Sequence, residues 1–125
     1  MREKPMAEDL LVTRVVSQSS GVGGRSLNSA RTNHFVIDEP SYGGGPGEAT
    51  TPAEAFLAGV SACGVLLVET FAREEGFPLK RARVEIDGVR TKADPANFRE
   101  IRLRFELSGV DAKQGERLVE RYKGR

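Results

Sequence analysis

Between Ala55 and Val68 the chain runs for fourteen residues without a charge: Ala55, Phe56, Leu57, Ala58, Gly59, Val60, Ser61, Ala62, Cys63, Gly64, Val65, Leu66, Leu67 and Val68. Thr51-Pro52-Ala53-Glu54 precedes it, with Thr at the N-cap, Pro at the first helical position and Glu three residues after the cap. This is a capping box, so the run lies in a helix. Gly76 and Pro78 end that helix near Glu75. A surface helix shows polar residues at every turn, so one without them is expected to be covered on nearly all sides. Fourteen residues fall short of the roughly twenty a bilayer needs. A chain of 125 residues has few layers with which to wrap such a helix. A homodimer with the helix near its centre is therefore expected, with Gly59 and Gly64 allowing another backbone to come close.

The flanking segments read as sheet. Leu10–Val16 is apolar and β-branched, and the turn signal Ser20-Gly21-Val22-Gly23-Gly24 follows it. Short strands are expected over Arg25–Ala30 and His34–Asp38, the latter stopped by Glu39-Pro40. The run Gly43-Gly44-Gly45-Pro46-Gly47 reads as a flexible connection. Past the helix, Ala82, Val84 and Ile86 alternate with charged residues, as do Ile101, Leu103, Phe105 and Leu107. That pattern gives two half-buried strands joined by a turn over Thr91–Asn97. A second helix from Asp111 to Lys123 closes an α+β fold with antiparallel sheet. One domain over residues 1–125 is expected, with residues 1–9 a loose N-terminal segment. That segment lacks the apolar h-region of a signal peptide, so a cytoplasmic location is expected.

Composition removes several classes of function. Nineteen Lys and Arg against eighteen Asp and Glu leave a formal charge of +1, which provides no general drive toward nucleic acid or an anionic membrane. The arginines on the late strands (Arg81, Arg83, Arg102, Arg104) are interleaved with Glu85, Asp87, Glu100 and Glu106, making a solvated mixed face. One cysteine makes no internal disulfide and no all-Cys metal site; no metal and no cofactor are expected. Neither glycine run is followed by a phosphate-loop or dinucleotide-binding pattern, and no nucleophile-elbow sequence accompanies the serines.

Cys63 is the remaining candidate. Read from composition alone, a cysteine in an apolar helix is a small buried hydrophobe. Activating it requires a nearby cation. The helix dipole fades within its first turn, eleven residues' distance is too far, and the helix carries no arginine before Arg73. The cation must come from another segment. His34, the lone histidine, reads as an ordinary strand position or one flanking a pocket.

The run Phe35-Val36-Ile37-Asp38-Glu39-Pro40, the glycines after it, and Thr51-Pro52-Ala53-Glu54-Ala55-Phe56-Leu57-Ala58-Gly59-Val60-Ser61-Ala62-Cys63 together resemble the OsmC/Ohr family. The charged-alternating hairpin and the helix ending Glu120-Arg121-Tyr122-Lys123 extend the resemblance over most of the chain. It implies an OsmC-like fold, with antiparallel sheets wrapped around a long buried central helix in an intertwined homodimer. It further implies a cysteine-based peroxidase in oxidative-stress defence, reducing a small organic hydroperoxide. Cys63 matches the peroxidatic cysteine, oxidised to a sulfenic acid and reduced by an external thiol such as a lipoyl dithiol. Gly23-Gly24-Arg25 resembles the element that supplies the activating arginine, with Arg31 as rival, because a guanidinium stays charged when partly buried. Phe56, Val60 and Leu67 are the expected apolar wall for the substrate.

Two departures from the organic-peroxide-reducing branch bear on activity. That branch has a glutamate directly after the proline, pairing with the arginine; here Ala53 stands there. Glu54 lies about 180° around the helix from Cys63, against about 80° for position 53, so it reads as the cap residue instead. Family members also usually carry a resolving cysteine shortly beyond the point where this chain stops. The resemblance thus implies either a shortened version of a longer protein or a one-cysteine enzyme. The alternative is an OsmC-like dimeric binding or structural protein without peroxidase activity.

Overall fold

A computed structural model describes residues 9–125; apart from Asp9, the expected loose segment lies outside the described residues. The chain divides at the start of the long helix into two units, one ending at Thr51 and the other Pro52–Arg125.

The first unit is a three-stranded antiparallel sheet in the order β1 (Val16–Ser19), β2 (Arg25–Ala30), β3 (Asn33–Asp38). β2 and β3 are joined by a two-residue turn, Arg31-Thr32, with Ala30 opposite Asn33 and Arg25 opposite Asp38. The strand expected over Leu10–Val16 is displaced: only Val16 belongs to β1, which continues to Ser19. The cause is the register. Val16 pairs with Ser29, next to the end of β2, so the residues before Val16 run past the hairpin and find no ladder partner among the described residues. Leu11 and Val12 are accordingly exposed.

The second unit places α1 (Pro52–Glu75) against a hairpin of β4 (Arg81–Val89) and β5 (Glu100–Ser108), followed by α2 (Ala112–Lys123). α1 starts at Pro52, as the sequence predicts. It ends on a Schellman turn: Gly76 has φ 72°, its N–H bonds the Arg73 carbonyl, and the Phe77 N–H bonds the Ala72 carbonyl. Along the hairpin, Ala82 faces Leu107, Val84 faces Phe105 and Ile86 faces Leu103, so one apolar side meets α1. The other side carries the exposed ion pairs Arg83–Glu106, Arg104–Glu85 and Arg102–Glu100, the mixed face expected. Asp111 caps α2 in a capping box with Gln114. Leu118 then docks into a core of Val68, Phe71 and Ala72, and the Arg121 guanidinium lies 4.2 Å over the Phe71 ring.

The single chain supplies only part of the cover expected for α1 in a homodimer. Only Gly64, Val68, Phe71 and Ala72 of α1 are buried, because one hairpin and one helix cover one side of it. Gly64 admits the Phe105 and Val84 side chains of its own chain, while a Cβ at Gly59 would meet nothing within 4 Å. At 24 residues α1 also exceeds its uncharged stretch, and by length and composition alone it is long and apolar enough to cross a membrane.

Candidate active site

Cys63 sits in the middle of α1 and is exposed in the single chain. The hairpin packs on the far side of the helix through Gly64 and Val68, leaving Cys63 on the open side. Helical spacing puts Phe56, Gly59, Ala62 and Leu66 on the same side, and all four are exposed. Of the expected substrate wall, Phe56 stands on this open face, two turns or about 10 Å along the axis from Cys63. Val60 is half-buried, and Leu67 packs against the core cluster. Phe56 has a partner that sequence reading missed. The Phe98 ring, from the loop between β4 and β5, stacks on it at 6.0 Å between centroids and 21° between planes. Arg90 covers Phe98 at 5.5 Å.

In the first unit Arg25 is the centre of a charged cluster. Its Nε donates to Asp38 Oδ1 at 2.7 Å and its Nη2 to Asp38 Oδ2 at 2.8 Å, a side-on fork. Nη2 also donates to Glu48 Oε1 at 2.7 Å. The Asp38 side chain is fully buried, and its Oδ2 accepts the backbone N–H groups of Glu48 and Ala49. The Arg25 hydrogen bonds, with those backbone bonds behind them, outweigh desolvation and hold the Asp38 carboxyl down at about 2. The same bonds raise the Arg25 pKa further above its ordinary value, at which the guanidinium is already a permanent cation. Its carboxylate partners therefore come from the end of β3 and the following loop, not from position 53.

The loop that carries Glu48 is more than the flexible connection expected. Gly43 and Gly45 N–H groups bond the Pro40 carbonyl, and the Gly47 N–H bonds the Glu39 carbonyl. A Cβ on Gly45 would lie 2.3 Å from the Glu39 carbonyl oxygen, and one on Gly24 would lie 2.7 Å from the Gly45 Cα. Glycine is required here for backbone to pack on backbone, and the result holds Glu48 and Ala49 over Asp38. Cross-strand register was the one signal that could have revealed Asp38, since equal strands around Arg31-Thr32 place it opposite Arg25.

Arg31, the rival arginine, occupies the first turn position with φ 57° and is exposed. His34 lies on an exposed stretch of β3, with its Nδ1 2.8 Å from Ser29 Oγ. No group of three or more His, Cys, Asp or Glu side chains among the described residues is arranged to hold a metal ion. The two halves of the candidate chemistry are thus an open thiol on an apolar helix face and an arginine held by two carboxylates.

Comparison with known proteins follows the same lines. The family described as OsmC-like protein matches residues 45–125, which include Cys63. An uncharacterized protein of Acinetobacter baylyi is 30% identical over 115 residues, covering 90% of this chain and 80% of that one. Among solved structures, an OsmC-like protein from Mycoplasma pneumoniae superposes with a TM-score of 0.78 at 16% identity, covering 96% of this chain and 84% of that one. The organic hydroperoxide resistance protein OsmC from Legionella pneumophila does so with a TM-score of 0.62 at 22% identity, over 90% and 82%. At these identities the superpositions speak for the fold.

Proposed function

Because this chain belongs to the family of OsmC-like proteins, whose membership suggests a role in hydroperoxide or oxidative-stress defence, we propose that it reduces organic hydroperoxides through Cys63. One observation carries this reading. The only thiol of the chain lies at the middle of α1, within the matched segment and on an apolar face that the single chain leaves uncovered.

In the proposed reaction the Cys63 thiolate attacks the terminal oxygen of the hydroperoxide. An S–O bond forms as the O–O bond breaks, sulfur loses two electrons and the peroxide gains them. The departing alkoxide takes a proton and leaves as an alcohol, while Cys63 becomes a sulfenic acid. An external thiol then displaces water from that sulfur to form a mixed disulfide. A second thiol of the same reductant releases Cys63 and leaves as the disulfide. This route needs no second cysteine in the chain. Arg25 is assigned the activation of Cys63, since a guanidinium held charged favours the thiolate and donates to a peroxide oxygen. The apolar face with Phe56 suits an organic tail.

Proteins of this family are generally dimeric. The open face of α1 is proposed to be covered by a second copy, as its apolar character requires. Sedimentation velocity is expected to show a dimer that Leu66→Glu dissociates; a stable wild-type monomer would refute it.

The function is tested by adding cumene hydroperoxide to the reduced protein and trapping sulfenic acid with dimedone, followed by mass spectrometry. Peroxide-dependent labelling at Cys63, with one alcohol formed per thiol consumed, is the expected result. Absence of both would leave the alternative, a binding or structural protein on the same fold.

A further inference from the structure

We infer that the cavity between the end of α1 and the start of β4 binds a small organic dianion, of the class of a phosphate monoester with a short apolar body. The site lies wholly within the second unit, and the peroxide reaction proposed above makes no use of it.

The cavity has a volume of about 260 Å³. Its walls are set by the chain reversal after α1. The Phe77 N–H bonds the Ala72 carbonyl, the Leu79 N–H that of Phe77, and the Lys80 N–H that of Ser108. Gly109 packs on the same stretch: a Cβ there would lie 2.5 Å from the Pro78 carbonyl oxygen and 2.7 Å from the Lys80 nitrogen. Backbone meets backbone, so residues 77–80 are held to one path. Ala72 is buried, and Phe77 and Leu79 are half-buried against the core, which gives an apolar floor. Glu69, Arg73, Lys80 and Arg81, all exposed, complete the lining.

Three cations and one carboxylate leave this rim at +2. Its counter-charge is missing. Arg83, Arg102 and Arg104 on the hairpin, and Arg117 and Arg121 on α2, each pair with a glutamate. Arg73, Lys80 and Arg81 pair with no carboxylate among the described residues. Register gives the reason. Arg83 lies opposite Glu106, but Arg81 lies opposite Ser108. Glu74 and Glu75 are held by Arg117 and Arg121 of α2, and Arg73 keeps only a 3.4 Å bond to Thr70 Oγ1. Like charges around a cleft with an apolar floor focus a positive potential in it. The C-terminal carbonyls of a helix oppose an anion. Here those of Arg73 and Ala72 are already occupied by the Gly76 and Phe77 N–H groups. A dianion balances the rim, guanidinium groups suit phosphate oxygens, and the floor takes a short apolar body.

The test is calorimetric titration of the full-length chain with phenyl phosphate, at low salt and at a pH where its dianion dominates. One saturable site is expected. Inorganic phosphate, which lacks the body, and benzoate, which lacks a charge, should both bind more weakly. Arg73→Gln and Lys80→Gln change exposed side chains and should each weaken binding about tenfold, the loss of one charge-assisted hydrogen bond. Glu69→Gln should tighten it about two- to threefold, the modest effect of an exposed charge. Lys92→Gln and Lys113→Gln remove the same charge outside the cavity and should bind as wild type. Binding that does not saturate, or that these two controls weaken as much as Lys80→Gln does, would show attraction to overall charge and overturn the inference. Inorganic phosphate binding as tightly as phenyl phosphate would overturn the assignment of an organic ligand. Dimedone labelling of Cys63 is read separately, so failure here leaves the peroxidase reading standing.

Discussion

Gly88→Ala tests the aromatic stack beside the open face of α1, and its cost can be worked from contacts. An alanine Cβ at this position would lie 2.4 Å from Phe98 Cε1, 2.9 Å from Phe98 Cδ1 and 3.0 Å from Leu57 Cδ1. Gly88 is not among the glycines with positive φ, so the strand backbone accepts alanine, which it favours over glycine by about 0.5–1 kcal/mol. Against this stands the collision. Keeping every side chain in place would cost about 1–3 kcal/mol of overpacking. The cheaper escape is for the half-buried Phe98 ring to rotate away. That forfeits the stack on Phe56, about 0.5–1.5 kcal/mol, and the Arg90 contact, about 0.5–1 kcal/mol. Subtracting the backbone gain leaves Gly88→Ala destabilising by about 1 kcal/mol. In a Phe98→Ala background the ring is gone and only Leu57 must yield, so the same substitution should be neutral or stabilising by about 0.5 kcal/mol. Urea unfolding of the four proteins closes a double-mutant cycle with an expected coupling of about 1–1.5 kcal/mol. A coupling within about 0.3 kcal/mol of zero would refute the reasoning, since the ring would then not be what the new methyl displaces.

Three further outcomes follow. Leu118 is fully buried and is the only buried residue of α2, so Leu118→Ala should cost about 2–5 kcal/mol in chemical denaturation; a loss below about 1 kcal/mol would mean that α2 is held by something else. The folded-state pKa of Asp38 is depressed from 3.8 to about 2, chiefly by the Arg25 hydrogen bonds. Its contribution is therefore fully present above the unfolded value and is lost as pH falls through about 2. The wild-type urea midpoint should drop across that window and the Asp38→Asn curve should be flatter there; equal slopes would contradict the assignment. Arg31 holds φ 57° at the first position of a two-residue hairpin turn. Arg31→Gly should raise the thermal midpoint by the equivalent of about 1 kcal/mol, and a lower midpoint would show that the arginine side chain contributes more than its backbone costs.

Much of the fold was legible because its signals are local. The capping sequence before Ala53, the Gly76 stop, the alternation around Val84 and Phe105, and the Asp111 cap each depend on a few neighbouring residues, and α1, β4, β5 and α2 follow them closely. Reading failed where the deciding partner is remote. Leu10–Val15 has every local mark of a strand, yet a strand exists only where another backbone meets its N–H and C=O groups, and β2 ends too soon. The uncharged stretch of α1 reports that it avoids water. It does not report whether Leu66 and Cys63 are covered by their own chain, and here they are not. Phe98 gave no sign of its role because its stack on Phe56 joins residues far apart in the chain.

The charged cluster shows how such a remote contact is nevertheless encoded. Arg25 and Asp38 stand at the outer ends of two six-residue strands, six positions on either side of Arg31-Thr32. Their pairing depends on where that turn falls. A slip of one residue would turn the Asp38 side chain to the opposite face of the sheet, leaving Arg25 with the exposed Glu48 alone. The turn therefore fixes the side-on fork from a distance. The two candidate arginines stand differently in this unit: Arg25 is held by a buried carboxylate, and Arg31 occupies the turn whose position sets the register of that pairing. The strained turn and the glycine loop over Asp38 serve one geometric end.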